Sequence, residues 1–206
     1  MKKVLAVVFV CLFLACCGGG NTGTVMAQQN SNIPFDQLGF VADRTNGIAG
    51  IRITGYSGIG GSLTIQREIN RIPIRFIGNE TFRAKKIFSV VIPDSVVIIG
   101  EGAFRDNIIT SVTIPNTVTT IGENAFRNNL LTSVTIPNSV TEIGDYAFRN
   151  NLITSVTFQR SIAEFEYIVS NPIYFPFDGD LANKFTAGGA GTYTRPNAES
   201  NTWTKQ

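Results

Sequence analysis

Little in this 206-residue chain could do covalent chemistry. It contains no histidine, which removes the commonest general base and the commonest metal ligand together. Its three cysteines stand at positions 11, 16 and 17, so the body of the chain has no thiol, no disulfide and no sulfur nucleophile. Glu164 with Glu166, and Asp178 with Asp180, are the close carboxylate pairs. No group near them would activate a nucleophile, and alternating carboxylates in a loop read as solvated charge or a weak cation site. The GGAG run at Gly188 to Gly191 precedes an expected strand rather than a helix, so it reads as a linker and not as a phosphate-cradling loop. No catalytic residue, metal site or cofactor is assigned.

Arg83, Arg105, Arg127 and Arg149 form a basic column at 22-residue intervals. Glu101, Glu123 and Asp145 lie four residues before three of them, the spacing of a same-face ion pair if the segment is helical, while Asn79 takes that place before Arg83. The column therefore reads as a neutralised ladder rather than an anion-binding ridge.

What must position all these side chains is a repeat. From Ile77 to about Phe165 the sequence falls into four rows beginning at Ile77, Ile99, Ile121 and Ile143, with Ile, Gly, Phe, Arg, Ser and Val recurring in register. A fixed period of this length means a solenoid. Within a row the apolar positions fall as in Leu131, Val134 and Ile136, one short strand that turns these residues inward and stacks on the next row. Parallel strands in one sheet are expected around Val90, Val112, Val134 and Val156. Pro93, Pro115 and Pro137 close the strands, Gly78, Gly100, Gly122 and Gly144 stand at the following bend, and a short helical turn then plugs the core with Phe82, Phe104, Phe126 and Phe148. A single row cannot hide its apolar face, so both ends need caps.

The run A-F-R-N-N-L-L-T-S-V-T-I-P-N-S-V-T-E-I-G, Ala125 to Gly144, resembles the BspA-like, treponemal-type leucine-rich repeats of bacterial surface proteins. With the caps, the likeness runs from about residue 40 to 205. It departs from the general leucine-rich repeat three positions after the strand, where Ser95, Thr117, Ser139 and Ser161 replace the usual Asn or Cys, so the asparagine ladder of other subclasses is not expected there. The GTYTR and TWTK segments near the C-terminus are similar to the tails of treponemal-type members. The resemblance implies a mainly β, leucine-rich repeat β-solenoid with short helical turns and hairpin caps, acting without catalysis in adhesion to host matrix or cell-surface proteins. A periplasmic scaffold, or a lipoprotein binding an apolar ligand without host contact, is the structural alternative. A hydrolase using Glu164 or Glu166 is the enzymatic one.

Alternation along each strand turns two columns outward: Phe88, Thr110, Thr132, Thr154, and Val91, Thr113, Thr135, Thr157. Threonine here also satisfies plain strand propensity. A third column, Lys86, Ile108, Leu130 and Leu152, precedes the inward residue of each row, and Lys86 marks it as exposed. Three successive exposed aliphatics make either a partner-binding stripe or a surface covered by caps or tether. Phe158, Phe165, Tyr167, Tyr174, Phe175 and Phe177 gather where the repeat decays. Phe158 and Phe165 occupy inward repeat positions, whereas Tyr174, Phe175 and Phe177 are free of the register and are candidate partner contacts.

Five segments follow. Residues 1–16 read as an export signal with a lipoprotein box: two lysines, an apolar run too short to span a membrane, then Ala15-Cys16. Residues 17–34 are a Gly, Asn, Gln and Ser-rich tether. Residues 35–76 form a hairpin cap around Asn46-Gly47 and a transitional row from Ser62, in which Pro73 restricts the insert to an edge or turn. Residues 77–165 are the four rows. Residues 166–206 are an aromatic-rich cap ending in a hairpin, Gly191 to Arg195 with Asn201 to Lys205, in which Tyr193 and Trp203 are cross-strand anchors. Setting aside Lys2 and Lys3 of the signal, 15 basic residues balance 15 acidic ones, which argues against a nucleic-acid partner. The membrane is reached through a lipid on Cys16, giving an exported, envelope-bound or surface protein, or a periplasmic one; cleavage after Ala27 is the alternative. Fatty-acid labelling is expected to mark the full-length chain and Cys16→Ser to abolish the label. A label kept in that variant would move the anchor to Cys17, and a mature terminus at Gln28 would remove it.

Overall fold

The computed structural model describes residue 33, residues 35–160 and residues 176–206. The export segment with Cys16, nearly all of the tether and the decayed turn holding Glu164, Phe165, Glu166, Tyr167, Tyr174 and Phe175 lie outside the described residues.

The chain is mainly β. Asn46 and Gly47, both left-handed at φ 51° and 79°, join β1 (Leu38–Thr45) to β2 (Ile48–Tyr56) in the expected antiparallel hairpin. The transitional row holds β3 (Gly61–Thr64), β4 (Glu68–Ile69) and β5 (Ile72–Ile77). Pro73 lies inside β5 opposite Glu68, ahead of the point where β5 begins to pair with β2, so its missing N–H interrupts no ladder with that strand.

Each following row contributes to two ladders rather than the single sheet expected. One contains β7 (Ile98–Ile99), β8 (Thr120–Ile121) and β10 (Glu142–Ile143), parallel to β5 with Ile77, Ile99, Ile121 and Ile143 in line. The other contains the strands read from the sequence: β6 (Ile87–Val91) beside β3, and β9 (Ser133–Ile136) beside β11 (Ser155–Phe158). Row two is the exception, since the strand expected around Val112 does not form. Its Ile108 and Thr110 N–H groups still donate to Ile87 and Phe88, but Ser111 to Ile114 run beside their neighbours without pairing.

The turns carrying the phenylalanines are not helical. Glu80, Gly102, Asn124 and Tyr146 hold φ between 51° and 58°, which breaks any helix at its second residue. The strand-side bend at Gly122 is set by close approach: a Cβ there would lie 2.6 Å from the Glu101 nitrogen of the row before. With the helix absent, the i,i+4 ion pairs expected of Glu101, Glu123 and Asp145 have no geometry to form in.

Two internal ladders bind the rows. Phe82, Phe104, Phe126 and Phe148 are buried and stack nearly parallel with centroids 5.2 to 5.3 Å apart, extended by Tyr56 at one end and Phe177 at the other. Beside them stand Asn107, Asn129 and Asn151, also buried. Asn129 Oδ1 accepts from the Ile109 N–H at 3.0 Å, while its Nδ2 donates to the Phe104 and Phe126 carbonyls, both at 3.0 Å. Asn107 and Asn151 repeat the pattern one row away on each side. An asparagine ladder therefore exists, on the entry side of the strand rather than three positions beyond it.

The C-terminal cap departs from a plain hairpin by adding α1 (Leu181–Gly188), ended by left-handed Gly189; the GGAG run is thus the end of a helix and not a linker. β12 (Gly191–Thr194) then pairs antiparallel with β11 and covers the last strand, with β13 (Thr204–Lys205) outside it. Tyr193 sits opposite Lys205, so it and Trp203 are not partners across the hairpin. Both are buried: Tyr193 meets Phe158 and Phe185 edge-on, and Trp203 lies under Arg195 and donates to the Asp178 carbonyl.

Phe126→Ala is expected to cost about 3 to 5 kcal/mol through the cavity it leaves. Asn129→Ala is expected to cost about 2 to 3 kcal/mol, because a buried N–H and two carbonyls lose their partner. Outward Thr135→Ala should cost well under about 1 kcal/mol. Equal shifts of the denaturant midpoint in all three variants would overturn this assignment of inward and outward faces.

A candidate recognition surface

The asparagine ladder also decides what faces outward. Asn107, Asn129 and Asn151 point into the core between the rows, and the preceding residues Asp106, Asn128 and Asn150 take left-handed φ of 56° to 59°. This turn delivers the next residue, Ile108, Leu130 or Leu152, to the outside just before the strand plunges inward at Ile109, Leu131 or Ile153. The aliphatic ridge is exposed as read from the sequence, at 46%, 41% and 48%. Exposed Lys86 occupies the same position in row one.

The neighbouring column runs through exposed Phe88, Thr110 and Thr132 to half-buried Thr154, whose N–H donates to the Thr132 carbonyl. Val91 is exposed as well. At the N-terminal end the sequence reading missed Ile59, the most exposed large apolar side chain described, at 90%. The Gly60 and Gly61 N–H groups donate to the Lys85 and Lys86 carbonyls, so Ile59 abuts the row-one end of the ridge. Its loop lies outside the repeat, so no periodicity could have pointed to it.

The aromatic cluster divides. Phe158 and Phe177 are core, as the register implied for Phe158 and contrary to the exposed role read for Phe177, which stacks on Phe148 at 5.0 Å. Tyr174 and Phe175 lie outside the described residues.

Three of the four arginines in the column, Arg83, Arg105 and Arg149, are ion-paired, with partners other than those expected. Arg83 pairs with Glu80 at 2.6 Å and with Asp106 at 3.3 Å, Arg149 pairs with Asp178 at 3.4 Å, and Arg127 and Arg149 both lie over the Tyr146 ring. Burial opposes ionisation of Asp106, but the Asn128 amide with Arg105 and Arg83 outweighs it and holds the carboxyl below its usual range. Asp145 shifts the opposite way, raised by burial and by the facing Glu123. Asp178 and Asp180 are structural: Asp178 also accepts from the Asn150 N–H, and Asp180 from the Trp203 N–H. Among the described residues no three His, Cys, Asp or Glu side chains gather as a metal site, and no helix is long and apolar enough to cross a membrane.

Comparison with curated proteins finds no match. Among solved structures, the chain is similar to a T. pallidum leucine-rich repeat protein at 24% identity and a TM-score of 0.46, over 57% of this chain and 66% of that one. A leucine-rich repeat protein from Bacteroides ovatus matches at 19% identity and a TM-score of 0.37, over 57% of this chain and 38% of that one. A leucine-rich cell surface protein from Faecalibacterium prausnitzii matches at 21% identity and a TM-score of 0.30, over 61% and 54%. In each case the chain spans less than two thirds of the other protein's length. The model of the BspA-type leucine-rich repeat region matches residues 68–171 with six copies, taking in the later part of the transitional row as well as the four regular ones. With half of its length covered by that repeat, this chain belongs to the BspA-type leucine-rich repeat family.

Proposed function

We propose that the chain is a non-enzymatic recognition module of the bacterial cell envelope, held at the membrane through Cys16, which binds a protein partner on the outward face of its strand ladder. The observation that carries this reading is the ridge Ile108, Leu130 and Leu152, exposed on three successive rows and continued by Phe88, Val91 and Ile59. Apolar side chains aligned on a stacked scaffold bind at small entropic cost, because the backbone beneath them is already ordered by the two internal ladders. Contiguous exposed apolar surface of this kind marks an interaction site. A partner in the extracellular matrix or on a host cell, and hence an adhesin-like role at the cell surface, is what the family resemblance adds. Thr110, Thr132 and Thr154 would supply the polar margin of the contact.

The test is the double variant Leu130→Gln with Leu152→Gln, assayed against immobilised extracellular-matrix protein. Both side chains face solvent, so thermal stability should hold within about 1 kcal/mol. Affinity should fall by about tenfold or more, the loss expected when central apolar anchors are truncated. Undiminished binding with stability kept would overturn the ridge as the contact surface.

A further inference from the structure

Row two carries a second feature, independent of the ridge. Where Ser111 to Ile114 fail to pair, a hollow of about 290 Å³ opens across rows two to four, lined by Ser111, Val112, Thr113, Ile114, Asn116, Ser133, Val134, Thr135, Pro137 and Gln159. The N–H and C=O groups of Ser111 to Ile114 make no backbone hydrogen bond among the described residues. The side chains of Ser111, Thr113, Asn116, Ser133, Thr135 and Gln159 make none either.

Several threonine hydroxyls elsewhere on the rows are committed. Thr117 and Thr119 donate to the Val96 and Val97 carbonyls, Thr141 to Thr119, Thr154 to Thr132, and Thr157 shares a bond with Thr192. Six polar side chains without a hydrogen bond gather where the ladder opens. None of the lining residues is charged, and Val112, Ile114, Val134 and Pro137 supply apolar surface between the polar groups.

The geometry points to a binding site for a neutral polyhydroxylated ligand, one or two pyranose rings of a glycan. A sugar ring carries alternating donors and acceptors on its rim and C–H groups on its face. The hollow offers hydroxyls, which both donate and accept, two carboxamides, open backbone groups and an apolar floor. Its volume falls at the small end of ligand sites, about 300 Å³. An anionic glycan would find no cation in the lining. A peptide strand inserted into the opening would need the rows to part by about 4.8 Å more, and the Leu130 N–H bound to the Ile109 carbonyl at 2.9 Å pins them beside it.

The experiment is an amide-resonance titration of the full-length chain with cellobiose, maltose and N,N′-diacetylchitobiose, and with a sulfated disaccharide for comparison. At least one neutral sugar should bind in the millimolar range, with shifts confined to Ser111 to Ile114, Asn116, Ser133 to Ile136 and Gln159. Thr135→Val should weaken that binding about fivefold, the loss of one hydrogen bond, while amides away from the hollow keep their positions. Leu130→Gln with Leu152→Gln should leave it unchanged. The site is overturned by the absence of shifts with all three neutral sugars, by tighter binding of the sulfated one, or by a Thr135→Val affinity equal to that of the parent chain.

Discussion

A buried peptide group in a stack of short rows must find its hydrogen bond in the next row, and that requirement governs this molecule. The strands are short, several holding only two residues, so the turns between them leave many backbone groups inside. Asn107, Asn129 and Asn151 serve those groups, each linking its own turn to the strand entry of the row before. Asparagine fits because one short side chain carries both an acceptor and two donors. The arrangement works only if every row has the same length. The fixed 22-residue period is the trace of that condition.

The phenylalanine column depends on the same register. Stacking at 5.2 to 5.3 Å follows from row spacing and places one ring per row against the next. The column does not stop with the repeat. Tyr56 in the N-terminal hairpin and Phe177 before α1 continue it, so each cap joins the stack by presenting an aromatic ring to the last one of the repeat. The C-terminal cap adds a second closure through β12, which turns the open edge of β11 into an antiparallel pair.

Because stability resides in the inward ladders, the outward face is released from holding the fold together. The ridge and threonine columns can change without disturbing the asparagines or the rings. The row-two opening is the exception, since there the scaffold itself gives up pairing and exposes its backbone.

The period, the inward and outward faces, the exposed ridge and both hairpins were legible in the sequence, because each is a local pattern: alternation along a strand, a turn dipeptide, an unbroken repeat. Asn107, Asn129 and Asn151 stood in plain view within that repeat, yet their role was not, since a polar residue at a fixed position says nothing about whether it is buried until its neighbours are placed. The turns failed as helices because residues such as Tyr146 are left-handed, a conformation that local preference does not signal. The second strand ladder escaped notice because two-residue strands have no periodicity of their own. Phe177 and Ile59 lie outside the repeat, so only stacking on Phe148 in one case, and a side chain left 90% exposed in the other, decides that one is core and the other surface. Local pattern sets which side chains repeat; which of them is covered depends on contacts between residues far apart in the chain, and those exist only once the rows are stacked.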